Sequence, residues 1–150
     1  MEIVRLTNQD SQFYSLMGPF LAKREIEKKI GHQLYDDNAK TWIIATENDV
    51  VLGFCYVWEF WDRLKCGSWY VTDDDRQNDI FKELLSEATR DVNAIVKVGT
   101  KNMILQDMLI LNKFTVKRVR EKFTEYEREY KNGDVQESCI QHNLSASRKA

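Results

Sequence analysis

VTDDDRQNDIFKELL, residues 71–85, carries the end of a strand, a polar turn and the start of an amphipathic helix. Ser68, Trp69, Tyr70 and Val71 have the aromatic and β-branched make-up of a strand. Beyond the turn, Ile80, Leu84 and Ala88 fall at i, i+4 and i+8 and Leu85 widens that stripe, while Lys82, Glu83 and Glu87 take the other side. A strand that runs straight into a helix N-terminus is an anion site in principle. The first-turn N–H groups have no internal partner, and the aligned peptide dipoles place about half a positive charge there. Three aspartates at the mouth, Asp73, Asp74 and Asp75, oppose that use.

Upstream, residues 2–6 alternate as a short first strand, and Asn8, Asp10 and Ser11 supply helix-start chemistry before Phe13, Leu16 and Met17. Gly18-Pro19 breaks that helix, because proline lacks the N–H and disfavours helix at the residue before it. A second helix is expected over residues 20–30, with Gly31 as its C-cap and His32 read as a helix-terminus residue. Residues 41–46 and 50–58 form a hairpin around Asn48-Asp49, and Gly53 marks a bulge or a close backbone approach. Residues 59–64 read as a loop with two aromatics, Phe60 and Trp61, and residues 65–71 as the fourth strand.

Downstream, residues 94–98 are a buried-strand candidate ended by Gly99-Thr100. Residues 102–112 place Leu105, Met108 and Leu109 on one helix face, and residues 114–119 and 123–128 make a last strand pair. From Lys131 the chain turns polar. One domain over residues 1–130 and a polar tail over 131–150 is the expected organisation.

The 150 residues are 43% apolar and 31% charged, with a single proline, as in an ordinary globular protein. No apolar run approaches the ~20 residues of a membrane span, and no secretory pattern opens the chain. A net charge of -2 gives no electrostatic case for nucleic acid. Cys55, Cys66 and Cys139 share no metal-binding spacing and read as reduced thiols of an intracellular protein.

The order β-α-α-β-β-β-α-β-α-β-β, with the strand-turn-helix at its centre, resembles the GNAT (N-acetyltransferase) superfamily over residues 2–128. The resemblance implies an α+β fold, an α/β/α sandwich with a mixed, mainly antiparallel sheet flanked by helices. It also implies that strands four and five splay apart around acetyl-CoA, whose pyrophosphate sits on a loop [QR]-x-x-G-x-[GA]. Val71 matches the strand end, Arg76 the first loop position, and Asn102 and Phe114 the ends of a second motif, N-x-x-A-x-x-L-Y-x-x-x-G-F. The cofactor-facing residues carried over are Tyr70, Val71, Arg76, Asn78, Asp79, Phe81 and Asn102; no catalytic residue is assigned.

Departures fall where the chemistry should be. The loop's glycine is Asp79 and its Gly/Ala is Phe81; the family's thiolate-protonating tyrosine is Leu109, and the late glycine is Lys113. A carboxylate ~4 Å from a phosphate charge repels it by roughly 4 kcal/mol at an effective dielectric of ~20, more than one backbone hydrogen bond returns, at ~1.5–3 kcal/mol. For Arg76 the bland alternative is a surface ion pair, and for Asn102 a helix cap. Trp58, Trp61, Trp69 and Tyr70 serve either an acceptor pocket or core packing. Glu59 and Asp62 are the weighed general bases, and Cys66 lacks an activating neighbour.

The expectation is therefore a GNAT-like protein with a decayed transferase site, without a cofactor, kept for binding a protein partner. It is similar to GNAT-like proteins of bacteriophages, including internal virion proteins, which implies a cytoplasmic or virion location. The alternative is an active acetyl-CoA-dependent N-acetyltransferase acting on a primary amine. A plain α+β structural protein is the third possibility.

Overall fold

A computed structural model of the chain describes residues 1–72 and 74–130. Asp73 and the expected polar tail, with Cys139 and His142, lie outside the described residues. The elements follow the order read from the sequence: β1 Glu2–Leu6, α1 Phe13–Met17, α2 Arg24–Ile30, β2 Thr41–Glu47, β3 Val50–Phe60, β4 Arg63–Val71, α3 Gln77–Thr89, β5 Ala94–Gly99, α4 Met103–Leu111, β6 Thr115–Val119 and β7 Phe123–Arg128. A short 3-10 turn, Asp74–Arg76, leads into α3.

The described residues form one seven-stranded sheet in the order β1-β2-β3-β4-β5-β7-β6, in which only β4 and β5 run parallel. Alternation along the strands divides the core in two. Ile43, Ala45, Cys55, Val57, Trp69 and Val71 pack with Ile80, Leu84 and Leu105 of α3 and α4. Trp42, Ile44, Phe54, Tyr56 and Tyr70 pack with Phe13, Met17 and Ile30 of α1 and α2. Helices thus cover both faces, which is why β2 reads as an unbroken apolar run rather than an alternating one.

Two expectations need correction. The second helix begins at Arg24, not at Phe20. After Pro19 the chain makes turns, with the N–H groups of Phe20 and Leu21 donating to Met17 O at 2.9 and 3.1 Å. Ala22 then takes a left-handed φ of 60° and donates to Leu34 O, so the chain cannot enter the helix earlier. Residues 59–64 are not a loop, because β3 and β4 pair out to Phe60↔Arg63 and leave a two-residue turn with Trp61 at φ 52°. The β2–β3 turn holds both Asn48 and Asp49 at positive φ, as a tight hairpin of matching twist requires.

Gly53 is both a bulge neighbour and a close approach. Ala45 pairs with Gly53 and Thr46 with Val51, so Leu52 is extra. A Cβ on Gly53 would stand 2.7 Å from Tyr70 O and 3.1 Å from Ile80 Cγ2. Gly53→Ala is therefore expected to cost about 1–3 kcal/mol in urea unfolding, as overpacking against backbone does. A midpoint unchanged from the wild type would refute the close approach.

The β4–β5 ladder is short. It holds only Leu64↔Ala94, Lys65↔Ile95 and Cys66↔Val96, after which the two strands part. A bulge lies at the same place. Tyr70 opposes Phe54 and Gly67 opposes Tyr56, so Ser68 and Trp69 share the place opposite Cys55, with Ser68 at φ 56°. Such an extra residue bends its strand and re-aims the backbone around it.

Candidate functional site

Where β4 leaves β5, a cleft of about 820 Å³ opens between them. Its lining comes from both faces of the sheet: Gln77 and Phe81 of α3 and the start of α4 on one side, α2, His32 and the β6–β7 turn on the other. The cleft therefore passes through the sheet and has two mouths. The β4 edge at Ser68, Trp69, Tyr70 and Val71 forms one wall.

The α4 mouth is held by local hydrogen bonds. Asn102 caps α4, its Oδ1 accepting from Leu105 N at 3.1 Å. Gln106 Nε2 donates to the carbonyls of Gly99, Thr100 and Asn102, and its Oε1 accepts from the Tyr126 hydroxyl at 3.0 Å. These bonds fix the β5–α4 loop against β7.

His32 dominates the other mouth. Gly31 closes α2 in the left-handed region at φ 93°, which turns the chain so that the next residue faces the sheet. The Nδ1 of His32 lies 2.8 Å from Gln33 O. A carbonyl can only accept, so Nδ1 carries the proton and Nε2 holds the lone pair. That nitrogen stands 3.5 Å from Ser68 Oγ, at the bulge. Burial holds the imidazole pKa below its ordinary value, with the charges of Lys97 and Lys40 acting in the same direction. His32 is accordingly neutral near pH 7, with its free base aimed at the place where the strands part.

Of the residues expected from the sequence, Tyr70, Val71, Phe81 and Asn102 line the cleft. Arg76, Asn78 and Asp79 do not. Arg76 makes a two-pronged pair with Glu47 at 3.1 and 3.3 Å, and Asn78 and Asp79 are exposed on the first turn of α3. Phe81 is a core residue that also walls the cleft, and Leu109 is fully enclosed in the core. Glu59 stands near the end of β3, paired with Leu64, and Asp62 in the β3–β4 turn, both beside the paired end of β4 and away from the open end. Trp58 and Trp61 are exposed there. Cys55 and Cys66 are buried, and burial pushes both thiols up, so neither offers a thiolate. Trp69 Nε1 is the buried side-chain polar atom left without a hydrogen bond among the described residues.

His32 and the bulge at Ser68 are what sequence reasoning missed. No group of three or more His, Cys, Asp or Glu that could hold a metal occurs among the described residues. Nor is any helix there long and apolar enough to cross a membrane.

No protein-family model matches the chain, and no curated protein does. Solved structures do. Escherichia coli ElaA superposes with a TM-score of 0.56 at 16% identity, covering 86% of this chain and 100% of its own. An acyl-CoA N-acyltransferase from Pseudomonas aeruginosa gives 0.58 at 12% identity over 85% and 98% of the two chains. The Campylobacter jejuni N-acetyltransferase PseH in complex with acetyl coenzyme A gives 0.55 at 14% identity over 85% and 97%. The chain has the GNAT fold. At these identities the likeness concerns the GNAT architecture, and the chemistry must be read from the residues of this chain.

Proposed function

We propose that this chain is an acyl-CoA-dependent N-acyltransferase that passes an acyl group directly from a thioester to an amine. The observation that carries the reading is the placement of a neutral His32 Nε2 beside the β4 bulge, where β4 and β5 part. The cleft also suits such a thioester, since its volume is in the range of ligand sites, ~300–1,000 Å³, and its lining includes Lys101, beside the start of α4, for an anionic donor. When bound, the thioester supplies an activated carbonyl and a sulfur leaving group.

The residues of the chain then divide the work. The parted strands orient the amine and the carbonyl toward each other, which removes much of the entropic barrier. Backbone N–H groups of the β4 edge near Tyr70 and Val71 stabilise the negative charge that develops on the acyl oxygen. His32 Nε2 takes the proton released as the amine nitrogen bonds to the carbonyl carbon. The carbon–sulfur bond breaks, and His32 or water returns a proton to the sulfur. A tyrosine in place of Leu109 is not required for that last step, because a thiol's pKa of about 8.5 makes its anion a tolerable leaving group.

A second reading, a non-catalytic module that binds a protein partner, is favoured by Leu109, which has no proton to give, and by Phe81 at the cleft wall. The two readings differ in a calorimetric titration. Acetyl-CoA at 100 times its dissociation constant should stabilise the transferase by ~2.7 kcal/mol, and thiol should be released when an amine is added. A flat titration at millimolar acetyl-CoA would sink the transferase and leave the binding module.

A further inference from the structure

The His32-side mouth is strongly cationic although the chain as a whole is not. Lys and Arg number 22 against 24 Asp and Glu in the sequence. The cleft, by contrast, is lined by Arg24, Lys28, Lys29, Lys97, Lys101 and Lys122 and only by Glu27 and Glu121 among the acids. Glu27 is already engaged, its Oε2 accepting from Leu34 N at 2.8 Å. Arg24, Lys28 and Lys29 stand on α2, and Lys122 stands in the β6–β7 turn across the same mouth. Three come from one helix and the fourth from the facing turn, all line the cleft together with His32, and α2 packs through Ile30 on the face of the sheet opposite α3 and α4.

Resting on the transferase reading above, we infer that the acceptor is a small amine that also bears a carboxylate or a phosphate, held by Arg24, Lys28, Lys29 and Lys122. A purely cationic acceptor would be repelled from a mouth of this sign, whereas an acceptor with an anionic group is drawn in and oriented. The same lysines disfavour the ammonium form of the bound amine, and the free amine is the nucleophile that His32 needs. The cleft must hold the acyl arm as well, so the acceptor is a small molecule.

The test uses the full chain with saturating acetyl-CoA and matched amines: glucosamine 6-phosphate against glucosamine, and β-alanine against its amide. In at least one pair, kcat/KM for the member that bears the anionic group should exceed that for the member that lacks it by about tenfold or more, and the pair that discriminates tells phosphate from carboxylate. The preference should shrink in 1 M salt, where the Debye length falls to about 3 Å. It should also collapse in R24E/K28E, whose substitutions lie on the exposed face of α2. Equal or better use of the amines that lack the anionic group, no acetylation of either amine that bears one, or an unchanged ratio in R24E/K28E overturns the inference. If acetyl-CoA binds and only the amines that lack an anionic group turn over, the transferase reading survives alone; a flat acetyl-CoA titration removes both.

Discussion

Replacing His32 by glutamine should lower kcat by about 10²–10⁴-fold, the usual contribution of a positioned general base. Glutamine keeps a hydrogen-bonding group of similar reach at a half-buried position, but its amide cannot take a proton. The pH profile carries the sharper signature. Burial lowers the His32 pKa from its ordinary 6.5, so the wild-type base is fully available above that value and is lost only as the pH falls through the lower, folded-state pKa. The wild-type rate should therefore hold through neutral pH and decline on the acid side below 6.5, while H32Q should lack that decline. Stability follows the same sign. Below pH 6.5 the unfolded chain binds a proton that the folded chain resists, so this group's contribution is present above 6.5 and is lost through the acid window. A variant with wild-type kcat and an unaltered acid limb would remove His32 from the mechanism.

The sequence disclosed the order of elements and the identity of the central strand-turn-helix, because those rest on local periodicity. It disclosed the parted strands only through resemblance. What it hid depends on residues far apart in the chain. Ser68 is the left-handed bulge residue beside Gly67, the residue on which a glycine-based reading would place such a conformation. His32 takes its setting from Ser68, 36 residues away, and from the carbonyl of its own neighbour. Arg76 fits a loop motif by position, and its guanidinium pairs with Glu47, 29 residues upstream, a contact that no local pattern announces. Asp79, at the motif's first glycine position, stands exposed on the first turn of α3, outside the cleft lining. The cations that line the cleft come from α2, β5, the β5–α4 loop and the β6–β7 turn, so a net charge of -2 conceals them. Phe81 is the mixed case: it stands at the motif's Gly/Ala position and does line the cleft, but its burial among Leu84, Leu85 and Leu105 makes it a structural residue as well. Returning it to glycine would test packing as much as ligand access.

Trp42→Ala should cost about 3–5 kcal/mol, the range for truncating a buried tryptophan, out of the ~5–15 kcal/mol that holds an ordinary domain together. Trp42 is wholly enclosed, edge-on to Phe54 and Tyr56 at ring separations of 5.7 and 5.9 Å. Its Nε1 donates to Asp36 Oδ1 at 2.8 Å, and Asn8 Nδ2 donates to the other oxygen of the same carboxylate at 3.0 Å. Four residues away, the Lys40 ammonium lies over the rings of Tyr35 and Tyr56 at 4.1 and 4.5 Å while donating to Tyr35 O. Together these contacts pin the segment between α2 and β2, the one that carries His32, onto the α1/α2 face of the sheet. Truncation removes the ring and also strips Asp36 of a donor, so the loss has both a cavity part and a hydrogen-bonding part. Trp42→Phe separates them, since a ring remains and mainly the donor goes, and it should cost only ~1–3 kcal/mol. Urea unfolding measures both variants, and the milder one stays measurable if the alanine variant fails to fold. Because the anchor lies on the His32 side, Trp42→Phe should also reduce kcat more than it weakens acetyl-CoA binding. A cost below 1 kcal/mol for the alanine variant, or equal losses in kcat and in affinity for the phenylalanine variant, would mean that this face does not hold the base in place.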